Sequence, residues 1–132
     1  MILLDTHVWV WWLSDPDKLS YPARKAVDAA AKSRAIYISA ISVWEIALLV
    51  SKGRLTFTMD ATDWIARSET LPFLSFVPVD NAIAIRSVRL QEPLHRDPAD
   101  RIIIATAMTM GMPLVSSDSK IQKYPHVKTI WK

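Results

Sequence analysis

The chain has 132 residues, 51% hydrophobic and 22% charged, a length and apolar content that make one compact domain with a core and exclude a multi-domain protein. With 2 Gly against 8 Pro and 6 Trp, collagen-like, linker-like and disordered compositions are excluded too. A formal net charge of +3 permits a polyanionic partner without demanding one, while the lack of cysteine removes thiolate chemistry, fits a reducing compartment and leaves oxygen and histidine as metal ligands.

Residues 1–4 are a short apolar run closed by Asp5, the pattern of a strand buried on both faces of a parallel sheet. Residues 7–13 read as a helix, and a second begins near Ser20-Tyr21-Pro22, where a hydroxyl cap and a first-turn proline introduce residues 23–32. Residues 35–38 form the second predicted strand. Ser39 or Ser42 can cap the following helix, whose apolar stripe is Val43, Ile46, Ala47 and Val50 and whose stop is Gly53. A helix over 60–68, a strand over 74–79 and a helix over 81–90 continue the alternation. After a loop over 91–96, Asp97-Pro98 opens an apolar helix through Met110, with Gly111 as its stop. A strand over 113–116, a short helix over 119–123 and an edge strand over 127–130 complete the chain. Such alternation implies a parallel sheet covered by helices, an α/β fold of one domain spanning 1–132. The longest apolar stretches fall short of the ~20 residues that cross a bilayer, and the first residues lack a signal-peptide pattern. A cytoplasmic protein with no membrane contact is expected.

In open α/β sheets ligands bind outside the carboxyl ends of the strands. Asp5 and Asp118 are expected there, and Glu45 and Asp100, on the helices after the second strand and after Asp97-Pro98, can project over the same edge. Four carboxylates in one partly desolvated cleft need compensating cations. Oxygen ligands select hard divalent ions such as Mg²⁺ or Mn²⁺, which points to metal-dependent phosphoryl transfer. Ordinary roles compete: Asp5, Asp97 and Asp118 can each cap a helix, and Asp100 suits the third position of a capping box. Glu45 is more telling, since it stands between Trp44 and Ile46 in an otherwise apolar helix, where an acid seldom serves solubility. Ser116 can bond a carboxylate or phosphate or simply close a strand. Thr6 and His7 follow the first acid, and His7 reads more readily as a packed side chain than as a base. His95 and Arg96 can contact substrate phosphate or solvate a loop. Trp9, Trp11, Trp12 and Trp44 read as core or protein interface before base stacking.

Four segments together resemble a known family. They are Leu3-Leu-Asp5-Thr-His7-Val-Trp9, Ser39-Ala-Ile-Ser-Val-Trp44-Glu45-Ile-Ala47, His95-Arg-Asp97-Pro-Ala-Asp100-Arg101-Ile-Ile-Ile-Ala105-Thr-Ala107 and Leu114-Val-Ser-Ser-Asp118. They look like the motifs of PIN-domain ribonucleases, nearest to VapC-type toxins of toxin–antitoxin pairs. The resemblance implies a three-layer α/β/α domain with sheet order 3-2-1-4-5, Mg²⁺- or Mn²⁺-dependent cleavage of RNA, and a homodimer inhibited by an antitoxin. By position it implies Asp5, Glu45, Asp100 and Asp118 as the acids, with Asp97 as a companion and Ser116 where the family usually has Thr. Two rivals stand beside it. A receiver-like signalling domain would need a lysine at the carboxyl end of the last strand, whereas Lys128 lies at its start. A non-catalytic partner-binding domain would leave Glu45 unexplained.

Overall fold

Short parallel strands set every other element in place. The computed structural model, which describes residues 1–132, contains β1 (Ile2–Leu4), β2 (Ile36–Ser39), β3 (Leu74–Val77), β4 (Leu114–Val115) and β5 (Thr129–Ile130). They pair in parallel in the order β3-β2-β1-β4-β5, with Leu4 opposite Ile38 on one side and Val115 on the other. This is the order that the family resemblance implied. The chain reverses its direction of travel across the sheet between β1 and β4, so a crevice opens beyond their carboxyl ends. Asp5 directly follows β1 and Ser116 directly follows β4.

Seven helices cover the sheet: α1 (Thr6–Ser14), α2 (Tyr21–Lys32), α3 (Ala40–Ser51), α4 (Ala61–Glu69), α5 (Asn81–Val88), α6 (Pro98–Met110) and α7 (Ser119–Gln122). Successive strand residues face opposite ways. Ile2 and Leu4 therefore join a core with residues of α1, α2, α3 and α4, including Trp9, Val27, Ile46 and Trp64. Leu3 joins the opposite core with Ile83 of α5, Ile103 and Ile104 of α6, and Ile121 of α7. Burial on both faces explains why the first strand reads as an unbroken apolar run.

Helix starts follow the expected capping chemistry. Ser20 caps α2 and Asp97 caps α6, each ahead of a first-turn proline, and Gly111 closes α6 in the left-handed region at φ 66°. Between the two candidates for α3 the cap is Ser39, whose hydroxyl accepts from the amide of Ile41, which frees Ser42 for another role. Several expectations shift at their ends. Proline at 78 has no amide to donate, and β3 stops at Val77. β4 and β5 are shorter than expected because only two residues of each pair in register. A short 3-10 turn over Pro16–Lys18 was not anticipated. Within the expected stripe of α3, Ile46 is buried but Ala47 is exposed, so the apolar content of this helix exceeds what the core uses.

Ile38 is fully buried in the central sheet. Ile38→Ala should cost about 2–5 kcal/mol through lost burial and cavity formation. Gly111→Ala meets no atom within 4 Å but forces a left-handed residue, and should cost only about 1 kcal/mol. Urea unfolding followed by circular dichroism checks both values and their order.

Candidate active site

At the β1/β4 crevice, hydrogen bonds tie the first acid to its neighbours on both sides. Asp5, 8% exposed, accepts at Oδ1 from the amide of Thr6 (2.8 Å) and at Oδ2 from the Ser116 hydroxyl (2.7 Å). Ser116 Oγ in turn accepts from the amide of Asp118 (3.1 Å), so one serine joins the ends of β1 and β4 to the start of α7. On the other side the Thr6 hydroxyl lies 2.6 Å from Glu45 Oε1 and 2.8 Å from Ser42 Oγ. Its single proton goes to the carboxylate, the stronger acceptor, and Ser42 satisfies its own hydroxyl against Thr6 Oγ1. Ser42 and Glu45 are three residues apart on α3 and so share a face.

The third acidic element enters from α6. Asp97 is the exposed N-cap, accepting at Oδ1 from the amide of Asp100 (2.9 Å). Asp100 Oδ2 pairs with His95 Nε2 at 2.7 Å, and both side chains are 17% exposed. The other ring nitrogen, Nδ1, is buried without a partner. With a proton on Nε2, His95 donates to Asp100 Oδ2. Arg101 steadies this loop by donating to the carbonyls of Ser87 (2.9 Å) and His95 (3.3 Å). One ligand atom each from His95, Asp100 and Asp118 lie within 4.8 Å of one another.

Burial and mutual repulsion keep these acids protonated above the usual range. Burial raises Asp5 first, with Asp118 adding repulsion against the lowering effect of its hydrogen bonds. Glu45 is pushed to about 7, chiefly by burial and then by Asp5, Asp100 and Asp97, despite the Thr6 hydrogen bond. Asp100 is pushed to about 6 by burial and by Asp5, Asp97 and Asp118, despite His95. Each acid thus feels charges from the other elements. Glu45, Asp100 and Asp118 each keep one carboxylate oxygen free of any protein donor. Free hard oxygens beside uncompensated negative charge suit a divalent cation.

The structure therefore brings Asp5, Glu45, Asp97, Asp100 and Asp118 to one crevice, with Thr6, Ser116 and His95 bonded to them. Arg96 is different: it is exposed and lines a separate groove with Ser87, Val88 and Glu92. His7 is exposed beside Trp11, with ring centres 5.8 Å apart, and bonds none of the acids. Sequence reasoning had no role for Ser42 beyond capping, nor any for Arg101. A hydroxyl three residues before a lone acid in an apolar helix was the available signal for the first. Trp9 is fully buried, and Trp11 and Trp12 pack against the same core, in line with the core reading of these rings; Trp44 is exposed.

The chain is also similar to known proteins. The family model described as PIN domain matches residues 2–127. The chain is 31% identical over 132 residues to Ribonuclease VapC22 of Mycobacterium tuberculosis, covering 98% of each chain. Among solved structures it resembles VapBC2 from Rickettsia felis bound to a promoter DNA fragment, with TM-score 0.71, 23% identity and coverage of 98% of this chain and 97% of that one. It likewise resembles FitAcB from Neisseria gonorrhoeae, with TM-score 0.66, 23% identity and coverage of 98% and 96%. These two share its fold.

Because Glu45 titrates at about 7 when folded against 4.5 ordinarily, the folded state keeps a proton between those values that the unfolded chain releases. Its contribution to stability therefore falls as pH rises through that window. Without divalent ions, Glu45→Gln should raise the melting temperature relative to the parent above about pH 7 and leave it little changed near pH 4.5. Adding Mg²⁺ should stabilise the parent more than the variant. Differential scanning fluorimetry across pH measures both.

Proposed function

Because the chain belongs to the PIN domain family, we propose that it is a divalent-metal-dependent endoribonuclease that hydrolyses RNA phosphodiester bonds as the toxin of a type II toxin–antitoxin pair. The observation that carries this reading is the convergence of acids from four separate segments on the β1/β4 crevice. A receiver-like phosphoacceptor would need a lysine at the carboxyl end of the last strand, whereas Lys128 precedes β5, and a purely structural partner-binding domain would not bury like charges together.

Asp5, Glu45, Asp100 and Asp118 would hold Mg²⁺, or Mn²⁺, with Asp97 at the rim. When bound, the ion supplies the positive charge that offsets these carboxylates and the charge developing on the phosphate. Ser116 and the Thr6 amide orient Asp5, the Thr6 hydroxyl orients Glu45, and His95 fixes one oxygen of Asp100 so that the other faces the crevice. Water attacks phosphorus in line and the far P–O bond breaks; no side-chain nucleophile takes part. Glu45, whose Oε1 is held by Thr6 and whose other oxygen has no protein donor, is placed to accept the proton released by that water. Arg96, outside the acid cluster, serves at most to contact the RNA backbone.

Two protein partners belong to the same reading. Exposed Ile85 and Val88 on α5 and Met110 at the end of α6 offer apolar surface for a homodimer, and Val88, 79% exposed, is its most accessible apolar side chain. An antitoxin would place a lysine or arginine among the carboxylates and replace the cation's charge. The buried Trp9 cannot take part in that contact, contrary to the surface that four tryptophans suggested. No helix is long and apolar enough to cross a membrane, and a cytoplasmic site of action accords with an RNA substrate.

Cleavage of a mixed pool of RNA should need Mg²⁺ or Mn²⁺ and stop in EDTA. Asp5→Asn, Asp100→Asn and Asp118→Asn should each lower kcat at least about 100-fold without loss of folding, whereas Asp97→Asn, which preserves the cap, should stay within about tenfold. Undiminished cleavage by Asp5→Asn, or cleavage in EDTA, would sink the assignment. Separately, Val88→Asp should shift the mass seen in light scattering from dimer to monomer.

A further inference from the structure

Helix α3 carries a stripe that runs on from Glu45 of the acid site toward the end of the helix. Residues 45, 48, 49 and 52 recur at helical spacing on one face, and with Trp44, Arg54 and the Asp97-Pro98-Ala99 start of α6 they enclose a cleft of about 240 Å³. Glu45 and Asp97 belong both to this cleft and to the acid cluster, so the two spaces adjoin. At 54% exposure Trp44 spends a large aromatic surface on solvent, unlike Trp9 and Trp64, which are buried. Lys52 and Arg54 are exposed and form no ion pair, although Glu45 and Asp97 line the same cleft.

The end of α3 holds these cations at the rim. Gly53, at φ 69°, donates to the carbonyl of Val50 (3.1 Å), and Arg54 donates to the carbonyl of Leu49 (2.9 Å). That pair of bonds is a Schellman closure, which fixes the backbone on both sides of the glycine and keeps Lys52 and Arg54 beside Trp44. An aromatic face flanked by two free cations, opening directly from a phosphodiester-cleaving centre, matches one nucleotide of a single strand: a base for the ring and a phosphate for the cations. The cleft is too small to admit a helix, whose diameter is about 10–12 Å. A basic side chain from a protein partner would meet Lys52 and Arg54 as like charges.

We propose that this cleft is a nucleotide subsite flanking the scissile phosphate, in which Trp44 stacks on a nucleobase of the RNA while Lys52 and Arg54 hold the adjoining phosphate. The proposal rests on the ribonuclease reading for the word scissile, but binding in the cleft can be measured without cleavage.

The experiment uses a fluorescently labelled single-stranded RNA oligonucleotide and the full chain carrying Asp5→Asn, with Mg²⁺ present. Anisotropy should give a Kd that rises at least about tenfold with Trp44→Ala and much less with Trp44→Phe, which keeps a stacking face. Lys52→Ala with Arg54→Ala should weaken binding too and reduce the slope of log Kd against log salt by about 0.7, the loss of one phosphate contact on a single strand. Base stacking should also quench Trp44, so RNA should quench the tryptophan fluorescence of the Asp5→Asn chain more than that of the chain with Trp44→Phe. In a chain with Asp5 intact, the same changes should raise KM while kcat stays within about threefold. Unchanged Kd in all three variants, with melting temperatures preserved, would overturn the subsite whether or not the parent cleaves RNA. Weakened capture of a co-expressed antitoxin with RNA affinity intact would overturn it as well, and would give the cleft to the protein partner. If the parent cleaves no RNA yet Trp44→Ala still weakens binding, the subsite stands and the nuclease reading falls.

Discussion

Like charge held out of water is the constraint around which this molecule is arranged. Carboxylates from β1, α3, α6 and α7 approach one another closely enough that Asp5, Glu45 and Asp100 are all raised above their ordinary range. Such a cluster opposes folding in the absence of a cation, and the chain tolerates it because two large cores on either side of the sheet are indifferent to it. Hydroxyl and imidazole donors then decide which oxygens are tied down and which remain open. Thr6, Ser116 and His95 each take one acid from behind, so repulsion is managed without neutralising the cluster.

The sheet order makes this economy possible. A parallel sheet places all its carboxyl ends at one edge, and at the switch point between the neighbouring strands β1 and β4 the connections leave in opposite directions and open a gap. Asp5 reaches the gap simply by following a strand of three residues, and Ser116 by following one of two. Register does the rest: Leu4 pairs with Val115, so the next residues along, Asp5 and Ser116, come side by side. Arg101, bonded to backbone carbonyls of the 91–96 loop, does for His95 what the sheet does for the aspartates.

Much of this was legible in the sequence, and the exceptions have physical causes. An unbroken apolar run closed by an acid, proline after a capping residue and glycine at a helix end are local signals, and β1, α2 and α6 follow them closely. Strand ends were less legible, because a strand ends where its neighbour stops pairing, a property of two segments rather than one. Glu45 stood out as an acid without a solubility role, and the structure holds it half-buried against the Thr6 hydroxyl. His95 did not, since a loop histidine and its partner five residues away look alike whether or not they meet. Ser42 was hidden by its other plausible use as a cap. Hydropathy alone placed Ala47 and Trp44 on the same footing as Ile46; only the packing of α3 against α1, α4 and β2 separates inward from outward residues.

Helix α3 therefore carries two kinds of information along one axis. Its first half supplies Ser42 and Glu45 to the crevice, and its second half supplies Leu48, Leu49 and Lys52 to the adjoining cleft. Residues 45 and 52 are seven apart, two turns or about 10.5 Å along the axis, so a change at the far end can alter what the cleft contacts without moving the acid. The closure at Gly53 reinforces this separation, because it anchors the end of α3 through backbone bonds that do not depend on the side chains at 52 and 54. Chemistry is consequently confined to positions where substitution disturbs a buried charge network, while contact with the rest of a ligand falls to exposed positions where substitution costs the fold little. A scaffold divided in this way can change what it recognises while keeping the same acids in place.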